Sequence, residues 1–405
     1  MFKIMKAFKI LLLLLAWCSV MDGYSQVEAL HHNQLILPDK IGDKLLLKGD
    51  FHMHTAYSDG HVMPDYRAFE AINDGMNLIA LTEHIDFELY PDELHNDYNK
   101  PYEMAKAYAQ QAGYSSPKDS LIVVLGAEIS PRVSPFHCNA VFLKDANAIP
   151  AEYMSETKKK FIMKQGELTG LIYKAFYEAK KQGAFIFYNH PGYKYWDYNK
   201  YGVDLFTDIH EDLLEKGLIN GIEIVNSGKY FVEAHRIAIE KGLTVFANSD
   251  AHWGTLRTMG TTARCATLVL ADNKSDDAIK QALFDKQTAA YWDNHLAGSK
   301  EILTKIFRAG IEIKSEKGKA ADAELVVVTI VNNTSIPFVI GEIDLKYDLL
   351  FQPKNSVVLA ANSETVLKIK TLLDKHEKID IGLTILNALV APGQPLKTNI
   401  SVEGF

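Results

Sequence analysis

The sequence predicts an α/β protein in which seven short strands alternate with helices and close into a barrel, followed by a small C-terminal antiparallel β-sandwich of Ig-like type. Three observations predict it. Short apolar runs recur from residue 47 to residue 247, with helical patterns between them. Imidazoles and carboxylates stand at the ends of most of these runs. In a barrel those ends share one mouth, whereas an open sheet would spread them along an edge. After residue 308 the pattern changes to alternating or continuous apolar stretches with turn residues between them.

Residues 1–25 read as a targeting segment. Lys3, Lys6 and Lys9 precede an apolar core, Ile10 to Trp17, that is short for a bilayer span, and Gly23 and Ser25 offer cleavage before Gln26. The expected location is the periplasm or beyond. Lipidation at Cys18 ranks second, because bulky Trp17 precedes it. The barrel is expected over 26–297. Residues 47–53 open the first strand, Pro64 to Asn73 has helical spacing, and Leu78 to Thr82 forms the second strand. Residues 85–100 are irregular and 101–112 helical. Leu121 to Ala127 and His137 to Leu143 are strands, and 163–182 is a long helix. Ala184 to Tyr188, Gly221 to Val225 and Leu243 to Ala247 complete the set, with a helix at 230–241. A strand and helix over 267–292 close the first domain, and 298–405 is assigned to the sandwich.

Composition narrows the function. A formal charge of −8 disfavours a surface that coats a nucleic-acid polymer. No segment after the first 25 residues approaches a transmembrane length of apolar residues. Cys138 and Cys265, the cysteines left after cleavage, are too few for a disulfide framework and read as small buried residues.

Nine residues carry the chemistry: His52, His54, Asp59, His84, Glu128, His137, His190, Asp250 and His252. His52 and His54 are two apart, so on a strand both face one side and reach one metal. Glu128 follows a run of Val and Leu, where a carboxylate needs a cation or a hydrogen-bonding partner. An all-N/O donor set suits Zn, Mn or Fe. Metals bridged by a carboxylate share a hydroxide with a pKa drawn toward neutrality, which serves as nucleophile. The implied class is a metal-dependent hydrolase.

In this order the segments FHMHTAYSDG, TEH, GAEIS, FHCNA, NHPG and NSDAH resemble the polymerase and histidinol phosphatase (PHP) family of phosphoesterases over roughly residues 47–295. The resemblance implies a distorted (β/α)7 barrel with a trinuclear centre of two or three divalent ions. By motif, His52, His54, Glu128 and Asp250 hold the first metal. Glu128 bridges to a second, completed by His137 and His190. Asp59, His84 and His252 hold the third. Gly60 stands where some members have histidine, and Glu83 where aspartate is common.

The expected reaction is hydrolysis of a small organic phosphate, a phosphomonoester or nucleotide-type ester, with Asp250 taking up the proton of the bridging water. An amide or lactone hydrolase on the same barrel is the alternative. Arg132, Lys194 and Arg257 are candidate phosphate binders by position, and His95 a candidate general acid. Tyr193, Tyr195, Trp196 and Tyr198 follow a ligand-bearing strand end and serve either to stack on substrate or to pack a lid. The oligomeric state is not readable from the sequence.

Overall fold

The computed structural model describes residues 33–87, 89–90, 93–94, 97–111, 121–131, 133–151, 165–192, 205–260, 262–320, 323–345, 348–350, 356–370 and 378–403. The expected targeting segment with Cys18 lies outside them. No helix among the described residues is long and apolar enough to cross a membrane.

Seven strands form the barrel: β1 Lys44–Asp50, β2 Leu78–Leu81, β3 Ile122–Ile129, β4 Cys138–Val141, β5 Phe185–Tyr188, β6 Gly221–Asn226 and β7 Thr244–Asn248. β2, β4 and β5 are buried throughout, which is why their sequences are apolar without alternation. β1–β2, β2–β3, β5–β6 and β6–β7 pair in parallel. The ring closes where Met53 bridges Ala251 in parallel. There the His54 N–H donates to the Ala251 carbonyl at 3.0 Å and the Asp250 N–H to the His52 carbonyl at 2.9 Å.

One strand departs from the parallel pattern. β4 runs antiparallel to both β3 and β5. The cause is the link from β3, residues 130–137, which has no helix among its described residues. A parallel return needs a crossover of a dozen or more residues, and this one is shorter. As a consequence His137 reaches the mouth from the N-terminal end of its strand, not from a C-terminal end as the sequence pattern suggested.

Helices α1 Pro64–Asn73, α2 Lys100–Gln111, α3 Gln165–Lys181, α4 Asp208–Glu215 and α5 Val232–Lys241 link the strands. α1 starts on Pro64, which fits a first helical position. α5 stops at Gly242 in the left-handed conformation. α4 was not anticipated, since eight residues give barely two turns of periodicity. Inside the barrel Phe51, Phe185, Phe187 and Phe246 plug the space. Phe187 stacks on Phe246 at 4.2 Å and Phe51 meets it edge-on at 5.5 Å. The barrel is therefore a packed core with chemistry at one end.

After β7 come α6 Thr255–Met259, β8 Ala266–Ala271, α7 Asp276–Phe284, β9 Thr288–Trp292 and β10 His295–Gly298. β8 pairs antiparallel with the edge of β1 that β2 does not take. The region expected to be sandwich begins instead with a helix, α8 Lys300–Gly310, capped by Ser299. Then follow β11 Ile311–Ala320, β12 Ala323–Asn332, β13 Phe338–Asp344, β14 Val357–Leu359, β15 Ser363–Lys370, β16 Lys378–Ala391 and β17 Gln394–Glu403. β11, β12 and β15 make one antiparallel sheet. β14, β13, β16 and β17 make the other. Leu367 and Ile369 point inward while Lys368 between them is exposed, as strand alternation requires.

The seam between the two parts is continuous. β10 pairs in parallel with β16, Leu296 opposite Ala388. One apolar cluster runs from Leu46 and Leu268 through Ile306 and Phe307 of α8 to Val328, Phe338 and Ile385. Phe307 and Phe338 meet edge-on at 5.0 Å. Each such buried side chain stabilises by about 1.5–3 kcal/mol, so the sandwich and the barrel support one another.

Candidate metal centre

All nine expected ligands lie among the described residues, and the barrel brings them to one mouth. His52 and His54 follow β1, Asp59 sits in the next turn, and His84 follows β2. Glu128 belongs to β3, His137 precedes β4, His190 follows β5, and Asp250 and His252 follow β7. Asp250 and His190 both have positive φ, 51° and 29°. Neither residue favours that region, and such backbone is held by the surrounding structure.

The donor atoms are spaced as neighbours around a cation. His52 Nε2 and His54 Nε2 are 3.1 Å apart. Asp250 Oδ1 lies 3.2 Å from the first and 3.3 Å from the second. Glu128 Oε2 is 3.4 Å from His54 Nε2, and Glu128 Oε1 is 3.5 Å from His52 Nε2. Donors that each lie about 2.0–2.2 Å from one ion stand roughly 3.0–3.5 Å from each other. On the other side of Glu128, Oε1 is 3.0 Å from His137 Nδ1 and 3.7 Å from His190 Nε2. Asp59 forms a third group, with Oδ1 3.2 Å from His252 Nε2 and Oδ2 3.5 Å from His84 Nε2.

His84 also approaches Glu128, with Nδ1 3.1 Å from Oε2. Its hydrogen bonding decides which nitrogen is free. Ser130 donates its hydroxyl proton to Asp86 Oδ1 at 2.7 Å. Toward His84 Nδ1, at 2.8 Å, it can then only accept. In the neutral ring Nδ1 therefore carries the proton, which leaves Nε2, facing Asp59, as the nitrogen that a cation can claim. Glu223 does the same for His52: it accepts a hydrogen bond from Nδ1–H at 2.9 Å and leaves Nε2 for the mouth.

The residues fit divalent cations. Glu128 Oε2, Asp59 Oδ1 and His54 Nδ1 are buried without a hydrogen-bond partner. Orphaned buried polar atoms are costly, and imidazole nitrogens and carboxylate oxygens are donors of the kind Zn, Mn and Fe accept. Electrostatics agree. Burial works against the charge on Glu128, but His84, His137 and His52 hold its carboxyl well below the usual range. Asp250 is likewise buried and held well down by His52, His54 and His252. Burial opposes protonation of His84, yet Glu128 and Asp59 push it up to about 10. His252 rises to about 9 against its burial, through Asp59 and Asp250. His54 falls to about 3, through burial and the neighbouring His252 and His84. The carboxylates require positive charge, supplied by imidazolium when protons hold the donors and by metal when it displaces them.

Comparison with known proteins agrees with this geometry. Residues 50–216 match the PHP domain and residues 311–401 an Ig-like domain, DUF5001. A two-domain protein from Bacteroides vulgatus ATCC 8482, containing a predicted PHP-like metal-dependent phosphoesterase, superposes with a TM-score of 0.75 at 29% identity. The match covers 92% of this chain and 100% of that one. The barrel belongs to the PHP family. A candidate metal-dependent phosphoesterase from Bifidobacterium adolescentis ATCC 15703 gives a TM-score of 0.38 at 15% identity, over 59% of this chain and 96% of its own. An amidohydrolase from Chromobacterium violaceum gives 0.32 at 14%, over 51% and 87%. At those TM-scores neither likeness bears on the argument. No curated protein matches the chain.

Around the PHP site lie partners that sequence reasoning missed. Glu223, fully buried in β6, also accepts from the His190 N–H at 2.7 Å and from Asn226 and Asn248. Its signal was present: a carboxylate between Ile222 and Ile224 is as anomalous as Glu128. Glu83 accepts from the Thr55 N–H and hydroxyl and from Ser58, fixing the turn that carries Asp59. Its carboxyl is raised by burial, with those donors opposing the shift. Asn189 donates to Glu128 Oε1 at 2.7 Å. Gly60 has a structural reason to lack a side chain, because a Cβ would lie 2.6 Å from the His54 carbonyl.

Of the candidate substrate contacts, Arg257 is described. It is exposed, with its guanidinium 3.8 Å from the Trp253 ring centroid. His95, Arg132, Lys194, Tyr193, Tyr195, Trp196 and Tyr198 lie outside the described residues.

Proposed function

We propose that the chain is an exported metal-dependent phosphoesterase acting on a small organic phosphate. The observation that carries this reading is the graded exposure of the cluster. Glu128 and His52 side chains are 1% and 0% exposed, while Asp59 and His252 are 28% and 31% exposed. The Asp59 group thus forms the open edge, where a phosphoryl group meets the donors first.

Divalent ions held by the nine residues would supply Lewis acidity toward the phosphoryl oxygens and acidify a water molecule. The chain's own residues do the rest. Glu128 spans the two buried groups with its two oxygens. Glu223 and Ser130 fix the tautomers of His52 and His84. Asp250 Oδ2, 4.0 Å from His190 Nε2, accepts the proton of the attacking water. Water adds to phosphorus and the P–O bond to the organic group breaks; the leaving oxygen takes a proton from solvent as Asp250 gives up the one it received, so the alcohol departs and Asp250 is restored. Asp59, His84 and His252 orient the phosphate as its charge redistributes.

The test is a screen of the protein lacking residues 1–25, reconstituted separately with Mn, Zn and Fe, against phosphomonoesters, phosphodiesters, and amide and lactone substrates. Metal-dependent phosphate ester turnover that Asp250→Asn abolishes is expected. Efficient amide or lactone cleavage with phosphate esters inert in every metal form would replace this reading.

A further inference from the structure

We infer that Arg257 is the anion-gripping residue of the substrate site, held in place by a stack of Trp253 and His61. This rests on the phosphoesterase reading and deepens it.

Three observations converge. The first is bonding. Among the described arginines, Arg67 and Arg264 are saturated by carboxylates and carbonyls. Arg236 pairs with Glu233 and Arg308 bonds Asn399. The Arg257 guanidinium has no hydrogen bond or ion pair to any described residue, only the backbone N–H bonding the Gly254 carbonyl at 3.0 Å, and the residue is exposed. Its fork of donors is uncommitted.

The second is preorganisation. The guanidinium lies 3.8 Å from the Trp253 ring centroid. The His61 ring stacks on the same indole at 3.6 Å, 18° from parallel. Two groups this close to one ring cannot share a face, so the indole is sandwiched between them. Trp253 is consequently a shelf for the arginine, backed by His61, and its faces are not free to stack on a base. A guanidinium on an aromatic face keeps its edge donors available and loses less freedom on binding an anion.

The third is place. His61 and Trp253 are close chain neighbours of Asp59 and His252, which meet at 3.2 Å. The His61 N–H donates to the His252 carbonyl at 2.7 Å. The stack therefore stands at the open edge of the cluster, where substrate enters. A guanidinium there recognises phosphate oxygens in a two-point, charge-assisted fashion.

The experiment is calorimetric titration of the Mn-loaded full chain with inorganic phosphate, in wild type, Arg257→Gln, Arg257→Lys and Trp253→Leu, with metal content checked in each. Arg257→Gln should weaken phosphate about tenfold to a hundredfold with metal content unchanged. Arg257→Lys should recover little of this, since a lysine offers no fork. Trp253→Leu should cost a smaller factor, because the arginine remains but its shelf is lost. Phosphate affinity in Arg257→Gln equal to wild type overturns the inference and leaves the phosphoesterase reading standing. Wild type that binds no phosphate overturns both.

Discussion

The mouth of the barrel holds two groups of buried charge side by side, built on opposite rules. In one, Arg264 donates to Asp50 at 2.6 and 2.9 Å and to Asp74 at 3.3 Å. Arg67 bonds Glu70 and the carbonyls of His54, Ala251 and Trp253. Its donors bind the end of β1 to the end of β7, where the ring closes. In the other group the nine histidines and carboxylates face one another across 3.0–4.0 Å, and three of their buried atoms find no hydrogen bond. The difference separates structure from function. Buried charge that serves the fold is paired atom for atom; buried charge that serves chemistry keeps donor atoms open toward a common centre.

The sharpest way to break this comparison is to exchange the effects. Glu128→Gln should deplete the two groups it spans and lower turnover by more than about a hundredfold, beyond the range seen for outer partners of a metal site. Chelator-treated Glu128→Gln should melt only slightly below chelator-treated wild type near pH 7, by the stability that the Glu128 ion pair with His84 supplies. Elemental analysis with thermal melts checks both. Asp50→Asn should do the reverse, leaving metal stoichiometry intact while costing about 3–5 kcal/mol, the usual cost of stranding a buried partner such as Arg264. Urea unfolding measures it, and an unchanged midpoint would show that the network is not structural.

Glu223→Gln probes the boundary between the groups. It touches no cation in the proposed centre but sets the His52 tautomer, so metal affinity should fall about 10–100-fold while the fold persists. Competition against a fluorescent chelator gives the number, and wild-type affinity would remove Glu223 from the site.

The smallest expected effect is in pH dependence. In chelator-treated protein His84 and His252 have folded values of about 10 and about 9, above the ordinary histidine value of 6.5. Their stabilisation is complete below about pH 6.5 and is lost as pH rises through about 9–10. The melting temperature should fall by a few degrees across that window. Metal-loaded protein should show no such fall, because metal binding needs those imidazoles deprotonated. Asp50→Asn should lower both curves by the same amount at every pH. A chelator-treated curve that rises through the window would contradict the assigned charges.

Much of the site was legible because its residues violate local pattern. Glu128 after Val and Leu, and His52 and His54 alternating at a strand end, are anomalous whatever the tertiary context. Glu223 carried the same mark and was passed over because no histidine accompanied it. Arg67 could not be read: on an amphipathic helix it looks like a solvent-facing charge, and only the closing of β7 onto β1 buries it. Export, and any contribution from His95, Arg132 or Lys194, rest on sequence expectation.

By itself the sequence determined the seven strands, the candidate ligand residues and the change of architecture after residue 308. These follow from short-range patterns of burial, and such patterns are written in consecutive residues. Tertiary structure decided the reversal of β4, the tautomers of His52 and His84, the sharing of one core by barrel and sandwich, and the Arg257–Trp253–His61 stack. Each depends on partners far apart in the chain or on a path too short to cross over. The identity of a residue fixes what bonds it can make; only the closed barrel fixes which of them it makes.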